Sequence, residues 1–431
     1  MSQQKKYADN LKKMRLELDR MQFRVAQIKT ELHEFQSQSH LVQKQSIQNK
    51  SKIAPNNSNY EVIQNKPLAT NGFLEKVVVR NQVLYLEGWV VSFDEGLADG
   101  FKVSISGQEK HNFELELELP SPHHIKQAFP QLKNIEKAGF CIKLPFSSKH
   151  QNWQDTLIIL TPLFRGREGL ILVNLPQSSI PIPSTDYLKW TGGGGEHGAF
   201  LRNSFAFLSY FIQLAGLKQT DRVLEVGCGL GRMAYGLAHY LKPPGSYEGF
   251  EIMARFIKWP QQEISTRCPH FNFRLVNIYN HHYNPGGNVK AKDFVFPYED
   301  QSFNFVFLTS VFTHMQTEEV RHYLEEIYRA LKWGGKCLCS CFLLNDKSEQ
   351  LITEGKSGFQ FVHELNECFT TNPSNPEAAI AFKEYLLLKW ISESGFAVIS
   401  KYYGSWCGRD KYTSGQDILI IEKKDRIDKN I

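Results

Sequence analysis

From residue 7 to residue 35, apolar side chains recur at alternating steps of four and three: Tyr7, Leu11, Met14, Leu18, Met21, Val25, Ile28, Leu32 and Phe35. Lys, Arg, Glu, Asp and Gln fill most of the positions between them. A seven-residue period held this long predicts a left-handed coiled coil over residues 1–36, and hence a homo-oligomer paired through residues 7–35. The same stripe also suits a single amphipathic helix laid on its own domain or on an anionic membrane surface. The period then vanishes. Residues 37–70 are rich in Gln, Ser and Asn, carry Pro55 and Pro67, and read as a flexible linker.

A period of two takes over in residues 71–180. Short strands are expected at 77–79, 83–89, 102–106, 113–119, 140–144, 157–160 and 170–173, separated by turns such as Asn81-Gln82 and Ser106-Gly107. Phe113 to Leu119 alternates apolar with acidic residues, as in a half-buried strand. About seven strands in so short a stretch suggest a small β-sandwich. Residues 181–431 alternate strand and helix, which makes the fold class α/β with a doubly wound sheet. Strands are expected at 222–226, 246–250, 272–276, 303–309, 336–344, 397–403 and 417–422. Helices are expected at 200–214, 232–240, 254–264, 317–331 and 377–394.

The first of those strands opens the stretch RVLEVGCGLGR, Arg222 to Arg232. Three glycines at alternate positions, Gly227, Gly229 and Gly231, let the chain turn sharply and let a ligand approach the backbone. The helix start that follows offers free N–H groups and a partial positive charge. A dinucleotide loop would read G-x-G-x-x-G. The G-x-G-x-G spacing, with Glu225 before it, instead resembles motif I of the class I S-adenosylmethionine-dependent methyltransferases. The resemblance implies a seven-stranded Rossmann-like sheet, with the last strand inserted antiparallel between strands five and six, and S-adenosyl-L-methionine as cofactor. It implies cofactor contacts from Glu225, Gly227, Cys228, Gly229 and Gly231. Glu251 would bind the ribose with Ile252 beside it, Asn277 and Ile278 would meet the adenine, and Thr309 and Ser310 would lie near the transferring methyl. Further stretches resemble the same family: YRALKWGGK (Tyr328 to Lys336), SVFTHM (Ser310 to Met315), and the terminal GSWCGR and QDILIIEK (Gly404 to Arg409, Gln416 to Lys423). Trp333 stands where the family turn usually has proline. The strand pattern of 71–180, with EGWVVS and AGFCIKLP, resembles accessory β-domains of bacterial glycan-modifying enzymes.

His314 is the general-base candidate, because its ordinary pKa lies near neutrality. HHYNPGG, His281 to Gly287, is expected to help form the acceptor pocket through His281, His282 and Tyr283, polar enough for a sugar or a carboxylate. Trp406 and Arg409 would stack on and orient the acceptor. Residues 345–376 read as a lid, and the stretch TGGGGEHGAF, Thr191 to Phe200, with its four consecutive glycines, as a mobile flap.

Composition narrows the partners. The net charge is +5 over 431 residues, and residues 1–50 carry ten Lys/Arg against five Asp/Glu, so the rest of the chain is balanced. A balanced catalytic region argues against nucleic acid and for a small-molecule or glycan acceptor. No transmembrane segment or signal peptide is expected, and the location reads as cytoplasmic. The eight cysteines lack metal-ligand spacing, so no metal site is expected; Cys337, Cys339 and Cys341 should share one strand face. The favoured reading is O-methylation. The rivals are a coiled-coil scaffold with a catalytically silent cofactor domain, and a nucleotide-dependent oxidoreductase.

Overall fold

The computed structural model describes residues 66–145, 153–189 and 195–424. The expected coiled coil, nearly all of the linker and residues 191–194 of the expected flap lie outside the described residues.

A seven-stranded sheet is built from β1 (Arg222–Val226), β2 (Ser246–Glu251), β3 (Phe271–Leu275), β4 (Phe303–Leu308), β5 (Leu331–Cys341), β6 (Phe396–Tyr402) and β7 (Asp417–Lys423). Its order is β3-β2-β1-β4-β5-β7-β6. The first five strands run parallel, and β7 is antiparallel to both β5 and β6. Both faces are covered, so the strands read as nearly continuous apolar runs. Alternate residues serve opposite layers. Val223, Phe305, Phe307, Leu338, Ile418 and Ile420 enter one core cluster. Leu224, Val306, Leu308, Leu419 and Ile421 enter the other, together with Cys337, Cys339 and Cys341 on one strand face.

Helices α1 (His197–Ser209), α2 (Arg232–Tyr240) and α3 (Ala254–Glu263) contribute to the first layer. Helices α4 (Thr317–Ala330) and α6 (Glu384–Glu393) contribute to the second, and α5 (Asp346–Thr353) opens the insertion after β5. Gln316 and Glu319 close a reciprocal capping box at the start of α4. The sheet changes winding direction between β1 and β4, and the crevice outside their carboxyl ends is where such sheets bind ligands.

Residues 70–174 form two five-stranded antiparallel sheets. Leu84, Leu86, Phe140 and Ile142 of one sheet share a core with Phe101, Val103, Ile158 and Leu160 of the other. Asn81 and Gln82 adopt positive φ at a tight hairpin between residues 80 and 83. These sheets also join the half that carries the seven-stranded sheet: Leu157, Leu170, Ile171 and Val173 extend the α1 cluster, and Gln213 Oε1 accepts from the Ile171 N–H at 2.9 Å.

One expectation needs correction. Residues 377–394 are not one helix: Pro376–Ala378 is a 3-10 turn, Ile380–Lys383 is a strand, and only Glu384–Glu393 is helical. Ile380–Lys383 pairs with Cys368–Thr370 and with Leu343–Leu344, so tertiary strand partners override the helical pattern. The stretch read as a lid carries α5 and the hairpin His363–Leu365 with Cys368–Thr370, which joins that same small sheet.

Candidate functional site

The crevice at the carboxyl edge of β1 and β4 holds a cavity of ≈ 250 Å³. Its floor is the glycine loop. Gly227, Gly229 and Gly231 all have left-handed φ, at +73°, +52° and +74°. A Cβ at Gly227 would meet Val311 Cγ2 at 2.7 Å, and one at Gly231 would meet Pro260 Cβ at 3.0 Å. A Cβ at Gly229 would meet nothing within 4 Å. Gly229 lines the cavity, so that open space is room for a ligand against the backbone.

The loop amides are largely committed. The N–H groups of Gly227 and Cys228 donate to the Phe250 carbonyl at 3.0 and 2.9 Å, and that of Gly231 donates to Cys228 at 2.9 Å. The Gly229 N–H donates to Glu251 Oε2 at 2.7 Å. Glu251 also accepts from the N–H groups of Ile252 and Met253, both at 2.8 Å on Oε1. Burial raises the Glu251 pKa, and the three amide donors pull it back. Glu225 is buried, takes the Tyr247 hydroxyl as donor, and is pushed well up by its loss of water. The nearby charge of Arg232 opposes that push.

The opposite wall follows β4. Ser310 is a non-glycine residue at φ +58°. The 3-10 turn Phe312–His314 then aims His314 into the cavity. His314 Nδ1 lies 2.7 Å from the Glu377 carbonyl, which can only accept, so the proton sits on Nδ1. Nε2 is therefore bare, and the Tyr283 hydroxyl donates to it at 3.3 Å. The Tyr283 ring stands edge-on at 5.0 Å between centroids. Asn280 Nδ2 donates to the His314 carbonyl at 3.3 Å. Burial lowers the His314 pKa from 6.5, so the imidazole is neutral at pH 7. Glu319 also lines the cavity, and burial raises its carboxyl to about 7 despite the Gln316 N–H at 2.8 Å.

Of the expected site residues, Glu225, Gly227, Cys228, Gly229, Glu251, Ile252, Ile278, Tyr283, Thr309, Ser310 and His314 come together around this one cavity. Six others do not. Gly231 caps α2 behind the loop. The Asn277 carbonyl accepts from Asn288 and Val289 at 3.2 Å, and Asn277 lines an adjoining cavity that shares Ile252, Met253 and Tyr283 with the first. The chain leaves at Ile278 and returns beside it at Val289, so Ala291 lines the cavity instead. His281 and His282 are exposed; their backbone N–H groups donate to Glu377 Oε2 and Asn280 Oδ1 at 2.7 and 3.1 Å. Trp406 is buried against Phe342 and Phe361, and its Nε1 donates to Asp417 Oδ2 at 2.7 Å. Arg409 lies over the Tyr403 ring at 4.5 Å and donates to Asn345 Oδ1 at 2.9 Å. Neither Trp406 nor Arg409 reaches the cavity, so the expectation that they orient an acceptor is corrected.

Sequence reasoning missed Asn280, Glu319 and Glu377. A signal existed for Glu319, since Gln316 and Glu319 stand at capping-box spacing before an amphipathic helix. None existed for Glu377, which acts through its backbone carbonyl from the far side of an insertion. Among the described residues, no group of three or more His, Cys, Asp or Glu is placed to hold a metal ion.

Residues 224–339 match the family model described as a methyltransferase domain. A curated relative, an uncharacterized methyltransferase of Schizosaccharomyces pombe, is 24% identical over 209 residues, covering 46% of this chain and 65% of the relative. Among solved structures, the chain is similar to a SAM-dependent methyltransferase from Methanosarcina mazei. There the identity is 20%, the coverage 49% of this chain and 97% of the other, and the TM-score 0.34. It is also similar to the 1,6-didemethyltoxoflavin-N1-methyltransferase of Burkholderia thailandensis, at 13% identity, 53% and 79% coverage and TM-score 0.34. The chain carries a class I S-adenosylmethionine-dependent methyltransferase domain.

Proposed function

We propose that this chain is an active methyltransferase, using S-adenosylmethionine to methylate a hydroxyl of a glycan, sugar or other small-molecule acceptor. The observation that carries the reading is His314: a half-buried neutral imidazole with its tautomer fixed by Glu377 and its unprotonated Nε2, met by the Tyr283 hydroxyl, in the same cavity as the glycine loop. Gly229 leaves the space, Glu251 ends β2 where a ribose is held, and Ile278 with Ala291 supplies apolar surface for a base. The cofactor supplies a methyl group on a sulfonium. With the acceptor hydroxyl displacing the Tyr283 hydroxyl, His314 Nε2 accepts its proton, and the Glu377 carbonyl steadies the imidazolium that forms. Orientation alone can contribute several kcal/mol, of order 7–11 in well-aligned cases, so a weak base suffices.

The committed loop amides disfavour a dinucleotide, whose pyrophosphate needs them as donors. Arg232 is the one Lys or Arg among the residues lining the cavity, and it faces Glu225. That makes a neutral hydroxyl a better fit than a carboxylate. The glycan assignment rests on the β-rich sheets and is an analogy. We further read residues 1–36 as a coiled coil that assembles the chain, 37–70 as its linker, 71–180 as an accessory domain, 181–431 as the catalytic domain, and the protein as cytoplasmic. Calorimetry with S-adenosylmethionine and with NAD tests the cofactor, and S-adenosylhomocysteine release on adding a glycan pool tests turnover. Tight NAD binding, or cofactor binding with no release on any acceptor, would overturn the respective half.

A further inference from the structure

Ser310 lines the cavity in a conformation that non-glycine residues adopt at a cost of order 1–3 kcal/mol. Such a residue persists only where its surroundings over-determine it. Two residues distant in sequence do so here. The Ser310 N–H donates to Ser340 Oγ at 2.8 Å. The Ser310 hydroxyl donates to Gln416 Oε1 at 3.2 Å, and the Ser340 hydroxyl donates to the same oxygen at 2.6 Å. Ser340 is fully buried on β5, and Gln416 stands immediately before β7.

Gln416 is itself fixed. Its neighbour Asp417 accepts from Gly404 N at 2.7 Å, from Leu343 N at 2.8 Å and from Trp406 Nε1 at 2.7 Å. The Trp406 N–H donates to the Gly415 carbonyl at 3.0 Å. The loop between β6 and β7 is thus stapled down, and Gln416 is its working end.

Three protons of this cluster are placed. Gln416 Oε1 takes two hydroxyl protons, and Ser340 Oγ takes the amide proton. Ser310 Oγ has given its proton away from the cavity, so only lone pairs remain to face inward. A hydroxyl held as a pure acceptor complements a positive sulfonium and its polarised C–H bonds, and it does nothing for a neutral thioether.

We infer that Gln416 and Ser340 are positioning residues that fix Ser310 as an acceptor toward the sulfonium, so that the site discriminates S-adenosylmethionine from its demethylated product. The inference rests on the function proposed above. Removing Oε1 frees the Ser310 proton to turn inward, setting a positive dipole end against a positive charge.

The test is calorimetric titration of the full chain with S-adenosylmethionine and, separately, S-adenosylhomocysteine. Gln416→Leu is expected to weaken S-adenosylmethionine about tenfold and leave S-adenosylhomocysteine within about twofold. Gln416→Glu, which keeps an acceptor oxygen and adds negative charge, is expected to hold the parental ratio or raise it. Ser340→Ala, which removes the amide's acceptor, should shift the ratio the same way as Gln416→Leu and decides the matter if that variant does not fold. Equal loss of both ligands, or no loss of either, would overturn the inference in favour of a purely structural role. A parent protein that binds neither ligand would overturn the function and this inference together.

Discussion

Gly229→Val separates the fold from the site. At Gly227 and Gly231 an added Cβ strikes Val311 or Pro260, so a substitution there damages packing. At Gly229 it strikes nothing within 4 Å, so only the backbone conformation resists. Holding a non-glycine residue in the left-handed region costs roughly 1–2 kcal/mol, and a β-branched side chain sits at the upper end. Domain stabilities run at about 5–15 kcal/mol, so the variant stays folded and its melting temperature falls by a few degrees. The isopropyl group, however, projects into a cavity of ≈ 250 Å³ at the point where the ligand must reach the backbone. Affinity for S-adenosylmethionine should fall by at least about 2.7 kcal/mol, a hundredfold. Circular dichroism melting and isothermal calorimetry on the same preparation read the two quantities. A folded Gly229→Val protein with parental affinity would refute the placement of the cofactor on this loop.

Glu251→Ala removes the acceptor of three backbone N–H groups as well as the ribose ligand, so affinity should drop by roughly 1–3 kcal/mol with a measurable loss in melting temperature; turnover falling with affinity intact would remove it from the ribose site. His314→Ala should lower kcat by about 10²–10⁴-fold with cofactor affinity nearly unchanged. Because burial depresses the imidazole below 6.5, the parental rate should be flat above neutrality and decline only as the pH falls below that value; a variant with the parental pH profile would make His314 structural. Glu319 is raised from 4.5 to about 7, so the folded state holds a proton that the unfolded chain releases. Its contribution to stability is present below pH 4.5 and is lost as pH rises to 7; Glu319→Gln should therefore be more stable than the parent at pH 8, by roughly 1–3 kcal/mol, with the difference gone by pH 4. Chemical denaturation at the two pH values checks the sign. Deleting residues 1–40 should give a monomer that still binds the cofactor, and sedimentation of the full chain as a monomer at micromolar concentration would remove the coiled-coil proposal.

The chain's local grammar determined the parts of this protein that depend on neighbours in sequence. Three alternate glycines require positive φ, and the apolar runs around them require burial on both faces, so the β1–loop–α2 unit was legible, as were most of the strand positions. Glu251 was legible for the same reason, because it ends a strand a short distance downstream of the loop. The position of His314 could be read from its place after β4. Its chemistry could not, because the atom that fixes its tautomer is the carbonyl of Glu377, 63 residues away. The tertiary structure alone decided that Trp406 belongs to Asp417 and the aromatic cluster, that Arg409 belongs to Asn345, and that residues 380–383 are strand. It alone brought Gln416 to Ser310 across 106 residues. The physical reason is common to all of these. An aromatic, an arginine or a glutamine near a sheet edge has the same local pattern whether it faces a ligand or a neighbouring loop. The choice between them is set by which buried donors and acceptors still need partners once the chain has closed.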